Sequence, residues 1–243
     1  TVTVRHGEET YKESYDRLVL SPGAAPICPA IPGIEENKVF TLRNIPDTYR
    51  IYDHIKETAP RSCAVIGAGF IGLEMAENLA ERGVHVTVVE GASHVMPPID
   101  MDMAHQVHNY IRAQGIDLYL GQTCTAMDKD GVILKDGRKI PADMVILSIG
   151  VRPDTGFLKD SGIELGARGE ILVNSYMETS APDVYALGDA ASVRHIVSGK
   201  QVLIPLASPA NKQGRIVGDN LCGRKTAFRF PVVDARKRFF KVH

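Results

Sequence analysis

Short apolar runs alternate with stretches of helical period along this chain, and their order predicts a layered α/β protein. Cys63–Ile66 is an apolar run suited to a strand buried on both faces. It leads into Gly67-Ala68-Gly69-Phe70-Ile71-Gly72, after which the apolar positions take a helical spacing. Val84–Val89 reads as the next strand and ends on an acid, Glu90. Met101–Gln114 suits an amphipathic helix, with Val107 and Ile111 four apart and Gly115 as its stop. Ile116–Leu120 follows as a strand. Thr123–Lys139, with turns at Asp130-Gly131 and Asp136-Gly137, reads as a small antiparallel meander. Met144–Ile149 is an uninterrupted apolar strand ending at Gly150.

Upstream, Thr1–Arg5 and Thr10–Lys12 alternate around His6-Gly7-Glu8 as a hairpin, and Arg17–Leu20 is a short strand. A helix is expected from Pro46-Asp47 to Ala59, with Ile51, Tyr52 and Ile55 on its inner face. Downstream come strands at Ile171–Val173 and Asp183–Leu187, then a closing helix over Asn211–Cys222 stopped by Gly223. Pro22–Arg43 holds too many prolines for a regular element and reads as a linker, as does Gly150–Thr155. The expected organisation is therefore a first segment over 1–43, one complete domain over 44–152, a returning segment over 153–223 and a tail over 224–243. The first and returning segments are expected to pair with each other.

Strand, glycine turn, helix, strand and terminal acid, in that order, form the dinucleotide-binding fingerprint in its required context. Gly67 permits the tight turn, Gly69 lets a pyrophosphate approach the backbone, and Gly72 lets the helix pack close to the strand. The helix N-terminus offers N–H groups and a partial positive charge to the phosphates. A Glu90 carboxylate would accept hydrogen bonds from the adenosine hydroxyls and repel a 2′-phosphate, which favours NAD. No arginine follows in Gly91-Ala92-Ser93; His94, if protonated, is the one nearby partner for a 2′-phosphate. A tight structural turn and a solvated strand-end acid are the plain alternatives, and the matched spacing weighs against both. A second signal is Ser180–Ala191, where a strand runs into Gly188-Asp189. A carboxylate at that strand end, with helix N–H groups beyond, suits a ribityl or phosphate chain, although Gly-Asp is also a common turn.

Composition narrows the picture a little. The formal net charge is −1, and no apolar run approaches the length of a membrane span. No signal-type segment opens the chain. The four cysteines, Cys28, Cys63, Cys124 and Cys222, are scattered and form no CxxC pair, so a reduced, cytoplasmic setting is expected. None is a credible redox thiol, since none has a recognisable base or cation beside it. His105 and His108 stand three apart on a helix and are read as a solvated face rather than a metal site. From Arg224 to His243 there are seven basic residues against one acid, Asp234. Nucleic-acid binding could use such a tail, and an altered or truncated terminus is the simpler account. The chain starts without methionine, already inside a strand pattern, and is read as a piece of a longer protein.

Taken together the motifs resemble the two-dinucleotide-fold flavoprotein disulfide reductases. Tyr15–Pro26, containing Ser21 and Gly23, is similar to that family's strand and linker closing over FAD. Gly67–Glu90 resembles its NAD(P)H fingerprint, Leu147–Pro153 the return to the FAD domain, and Thr179–Asp189 its FAD-binding Gly-Asp motif. Leu42–Asp47 and Pro205–Arg215 resemble the coenzyme A-disulfide reductase and NADH oxidase/peroxidase branch. The implied fold is a Rossmann-like NAD-binding domain inserted in an incomplete FAD-binding domain of the same type. The implied activity passes hydride from NADH to FAD, then electrons to a disulfide or to oxygen or peroxide. By the same resemblance Glu74 orients the nicotinamide amide, and Phe70 is an aromatic gate where tyrosine is usual. Asp189 bonds the ribityl chain and Ala207 approaches the flavin pyrimidine edge. The family's first FAD fingerprint, its redox cysteine and its dimerisation domain are missing from these residues. The chain alone is therefore expected to be inactive, and the complete form to be a homodimer without nucleic-acid or membrane partners. A non-catalytic NAD(H)-binding module is the alternative.

Overall fold

The computed structural model describes residues 1–36 and 38–229. The chain opens with β1 (Val2–His6) and β2 (Glu9–Glu13), an antiparallel hairpin turning at Gly7, followed by β3 (Leu18–Leu20) and β4 (Ala24–Pro26). A 3-10 turn at Ile34–Glu36 leads to β5 (Val39–Phe40), then α1 (Ile45–Thr58), β6 (Ser62–Ile66), α2 (Phe70–Glu81) and β7 (His85–Glu90). Next come α3 (Met101–Ala113), β8 (Asp117–Leu120), β9 (Cys124–Asp128), β10 (Gly131–Leu134), β11 (Lys139–Pro141) and β12 (Met144–Leu147). The last third holds β13 (Val151–Pro153), β14 (Ile171–Leu172), β15 (Val184–Ala186), β16 (Ala191–Arg194), β17 (Gln201–Leu203) and α4 (Ala207–Leu221). The described residues divide into two compact units, one of residues 26–151 and one of residues 1–25 with 152–229.

The unit of residues 26–151 is built on a five-stranded parallel sheet in the order β5-β12-β6-β7-β8. Successive strand residues face opposite sides, and both sides are covered, so the central strands are apolar at most positions, with Thr87 a buried exception and Ser62, His85 and Glu90 at strand ends. Cys63, Val65, Val86, Val88, Met144 and Ile146 pack with Ile51, Leu73, Leu79 and Ile111 of the helices. Their neighbours Ala64, Ile66, Val145 and Leu147 pack with Val132, Leu134 and Ile140 of the antiparallel β9-β10-β11 meander. Asp143 ties the leading ends of two central strands together: one carboxylate oxygen accepts from the Arg61 and Ser62 N–H groups and from Ser62 Oγ.

α1 starts where it does because Asn44 and Asp47 cap it reciprocally. Asn44 Oδ1 accepts from Asp47 N–H at 3.0 Å, while Asp47 Oδ2 accepts from Asn44 N–H at 3.1 Å. Burial opposes charge on Asp47, yet the Arg43 N–H, the Arg50 guanidinium and the Asn44 N–H together hold its carboxyl below the usual range. The expected inner face of this helix needs correcting at one position. Ile51 is 4% exposed but Tyr52 is 49% exposed, because a step of one residue turns the side chain about 100° away.

Both expected linkers also contain structure. Ala24–Pro26 and Val151–Pro153 pair as a two-stranded ribbon, a setting in which proline is tolerated at a strand edge. In the unit of residues 1–25 and 152–229, β3 and β15 pair in parallel, with Leu18 opposite Val184 and Leu20 opposite Ala186. β16 joins β14 in parallel and β17 antiparallel. Leu20, Ile171, Met177, Val184, Ala186, Val193 and Val217 form the core of this unit. α4 begins at Ala207, four residues before the expected Asn211, since Pro209 falls in the first turn, where no N–H is required of it. The basic tail from 224 is described only to Arg229, and the remainder lies outside the described residues.

Candidate functional site

The glycine turn between β6 and α2 separates its three glycines by what surrounds them. Gly67 has φ +103°, its N–H donates to Val89 O at 2.8 Å, and a Cβ there would stand 2.4 Å from Ser148 O. A Cβ on Gly72 would meet Gly67 O at 2.0 Å and Ser148 Oγ at 2.6 Å. Packing therefore demands glycine at both positions. Gly69, the N-cap of α2, has φ −78° and nothing within 4 Å of an added Cβ. The fold does not need glycine there, and what its absence of a side chain preserves is open space above the backbone. The positive end of α2 borders that space.

Glu90, the last residue of β7, is held beside the turn. Ala68 N–H donates to its Oε2 at 2.7 Å and Ala92 N–H to its Oε1 at 2.8 Å. A cleft of about 530 Å3 opens at this carboxyl edge of the sheet, lined by Gly67, Gly69, Glu90, Gln122, Ser148 and Gly150 among others. Gly150 has φ +121°, beyond the end of β12. Ser148, which the sequence reading did not single out, donates from Oγ to Gly67 O at 3.0 Å and stiffens the turn from below. Ile71 is 37% exposed on the first turn of α2, Phe70 is half-buried against the helical core, and Glu74 is exposed one turn on from Phe70. His94 is not a lining residue of this cleft; its Nδ1 lies 2.8 Å from Val95 O.

The other unit gathers most of the remaining predicted residues at the ends of two adjacent parallel strands. Leu187 N–H donates to Leu20 O at 3.0 Å, which brings Ser21 and Gly188 side by side; a Cβ on Gly188 would lie 3.6 Å from Ser21 Oγ. Gly188 has φ +77°, and its N–H donates to Gln213 Oε1 at 2.7 Å. Gln213 is 2% exposed and lies on the buried stripe Pro209, Gln213, Val217 and Asn220 of α4, the helix that Ala207 opens. Its i, i+4 spacing was the available signal, hidden by its polar identity. Asp189 is half-buried, burial raises its carboxyl above the ordinary range, and no hydrogen bond or ion pair reaches it among the described residues. Gly23, with φ +73°, stands beside the β4 ribbon, its carbonyl accepting from Asp154 N–H at 3.0 Å.

All four cysteines are free. Cys63 is sealed in the sheet, where burial pushes its thiol up to about 12. Cys124 lines the cleft, half-buried, and burial raises it as well. Among the described residues no group of three metal-ligating side chains occurs, and no helix is long and apolar enough to cross a membrane. The expectation of a solvated histidine face fails at His108, which is 3% exposed. It shares the α3 stripe with Ala104 and Ile111, which set it inward.

Comparison with known proteins gives this geometry its relatives. A family model described as pyridine nucleotide-disulphide oxidoreductase matches residues 1–214. An NADH oxidase of Methanocaldococcus jannaschii is 38% identical over 229 residues, 93% of this chain and 51% of the relative. A coenzyme A disulfide reductase of Staphylococcus aureus is 35% identical over 228 residues, again 93% and 51%. The crystal structure of reduced CoADR-RHD from Bacillus anthracis superposes with a TM-score of 0.88 at 50% identity, covering 90% of this chain and 40% of that one. The chain thus spans about half the length of the curated relatives it matches.

Proposed function

The chain belongs to the pyridine nucleotide-disulphide oxidoreductase family, and from that premise we propose that it serves a flavin-dependent NADH oxidoreductase. The observation that carries this reading is the open space over Gly69 with the Glu90 carboxylate fixed beside it, at the carboxyl edge of a parallel sheet. Gly67 and Gly72 shape the turn, and the α2 N-terminus with Phe70 and Ile71 receives the pyrophosphate. Glu90 takes the adenosine ribose hydroxyls, and Gly150 keeps the backbone low at the cleft's far wall. Glu74 orients the nicotinamide amide and Phe70 serves as the aromatic gate.

The second unit fits part of a flavin dinucleotide. Asp189 is a partly buried carboxylate with no partner among the described residues, which suits the hydroxyl donors of a ribityl chain. Ser21, Gly23, Gly188 and the α4 N-terminus at Ala207 supply the remaining polar edge. FAD, when bound, supplies the ring system that accepts hydride from NADH and passes electrons on. The proposed acceptor is a small disulfide of the coenzyme A type, or oxygen or peroxide. The proposed setting is a reducing cytoplasm, in keeping with four free cysteines, and the proposed assembly of the complete enzyme is a homodimer.

Coenzyme choice tests the Glu90 assignment. One repelled phosphate and one lost pair of hydrogen bonds exceed about 1.4 kcal/mol, so NADH should bind about 10-fold or more tighter than NADPH. Titrating both, then repeating with Glu90→Ala, should show that preference collapse in the variant; equal affinities in the parent chain rule the assignment out. Glu74 has its own test in the flavin-loaded enzyme. Glu74→Ala should slow single-turnover flavin reduction while leaving flavin content unchanged, and an unchanged rate would make Glu74 an ordinary exposed helix acid.

A further inference from the structure

The loop from Gly91 to Ile99, between β7 and α3, owes its path to a buried histidine. His108 Nε2 accepts a hydrogen bond from Val95 N–H at 3.1 Å. A ring nitrogen accepts only when it carries no proton, so this bond fixes the neutral tautomer protonated on Nδ1. Met96, the next residue, is held at φ +53°, and its N–H donates to Ala68 O at 2.9 Å. The left-handed region is unfavourable for a non-glycine residue, so the corner depends on its tethers. Ala68 is the middle of the glycine turn, and its own N–H is the group that holds Glu90 Oε2. Pro97, directly after the corner, lines the cleft. A continuous set of contacts therefore runs from His108 through Val95, Met96 and Ala68 to Glu90.

We infer that His108 is a positioning residue for coenzyme binding: its neutral ring pins the Val95–Met96 corner against the glycine turn, and proton uptake by that ring releases the corner and weakens the cleft's hold on the coenzyme. The inference rests on NADH occupying the cleft. The titratable and charged groups acting on the ring are Arg112 on the same helix, His105, its neighbour on α3 with centroids 5.5 Å apart, and His94 from the loop. Burial first, then Arg112, His105 and His94, keeps His108 below the ordinary histidine value of 6.5. The folded value lies below the unfolded one. The stability held by the neutral ring is therefore complete above the unfolded value and is lost as pH falls through the folded one.

The test is calorimetric titration of the chain with NADH at pH 7.5, and with acid-stable ADP-ribose from pH 7.5 to 5.5. In the parent, Kd for ADP-ribose should rise over that range by less than the roughly 10-fold that expulsion of one proton from an unshifted ring would give, because His108 lies below the ordinary value. Glutamine offers an acceptor oxygen that does not titrate in this range, so His108→Gln should bind within about 3-fold of the parent at pH 7.5 and lose the slope. His105→Gln should keep the slope, and His108→Phe should bind weakly throughout. A flat parent profile, or an unchanged slope in His108→Gln, overturns the inference. Amide hydrogen exchange at Val95 and Met96, read without ligand at one pH, tests the tether separately. Exchange should be faster in His108→Phe and parent-like in His108→Gln, and equal rates in all three overturn the tether. Parent chain that fails to bind NADH at pH 7.5 while the exchange pattern holds would refute the coenzyme reading instead.

Discussion

Purified alone, the 243-residue chain should bind NADH and oxidise none of it. The proposed NADH half of the site lies in one unit, since the turn, both flanking strands and the fixed Glu90 carboxylate all fall within residues 26–151. The flavin half differs. The proposed flavin half has Ser21 and Gly188 side by side at the ends of β3 and β15, but the sequence holds a single Gly-x-Gly-x-x-Gly, and it lies at the proposed NADH cleft. A flavin pyrophosphate ordinarily requires a glycine turn and helix N-terminus of its own. Forgoing several charge-assisted hydrogen bonds, each about 1.5–3 kcal/mol, weakens FAD by several orders of magnitude. Hydride transfer needs an organic or metal acceptor that side chains do not provide. The purified chain should be colourless, should melt at a higher temperature with NADH, and should leave NADH absorbance steady with oxygen, peroxide or coenzyme A disulfide. Stoichiometric bound FAD with sustained turnover would contradict this.

Two alanine substitutions within the same turn should fail in opposite ways. In Gly72→Ala the new methyl would collide with Gly67 O and Ser148 Oγ, and a backbone carbonyl between a strand and a helix cannot easily move away. Overpacking of that kind costs about 3 kcal/mol, so Tm should drop by roughly 6–12 °C and NADH binding should fall with it. Gly69→Ala meets nothing within 4 Å and keeps an ordinary φ, so its Tm should stay within about 2 °C of the parent. Its methyl, however, stands where the pyrophosphate must approach, and Kd for NADH should rise at least about 10-fold. Parent-like binding by Gly69→Ala would remove the pyrophosphate from this turn. A stable Gly72→Ala would mean that the helix and strand can separate at little cost.

How much of this was legible in the sequence follows from how each element is buried. β6, β7 and β12 are covered on both faces, so nearly every interior position is apolar, Thr87 excepted, and the runs stood out. β4 and β13 are three-residue edge strands containing proline, with too few positions for any period to show. The first turn of α4 was hidden by Pro205 and Pro209, which read as breakers although the first turn tolerates proline. The α3 stripe Ala104, His108 and Ile111 was visible as i, i+4, i+7 spacing, but a histidine was assigned to solvent by its chemistry alone. Gln213 was obscured in the same way, and Ser148 because its role, bridging to the Gly67 carbonyl, depends on a strand that is distant in sequence. Among the proposed site residues, the placing of Glu90 beside the glycine turn was readable because the spacing is dictated by one local strand-turn-helix-strand unit.

The most direct measurement is a crystal structure of the chain grown with NADH. It should show the pyrophosphate over the Gly69 backbone at the start of α2, and the adenosine ribose hydroxyls on the Glu90 carboxylate in the cleft lined by Gln122, Ser148 and Gly150. A saturated crystal whose cleft stays empty, or one with NADH bound elsewhere on the chain, would contradict the account.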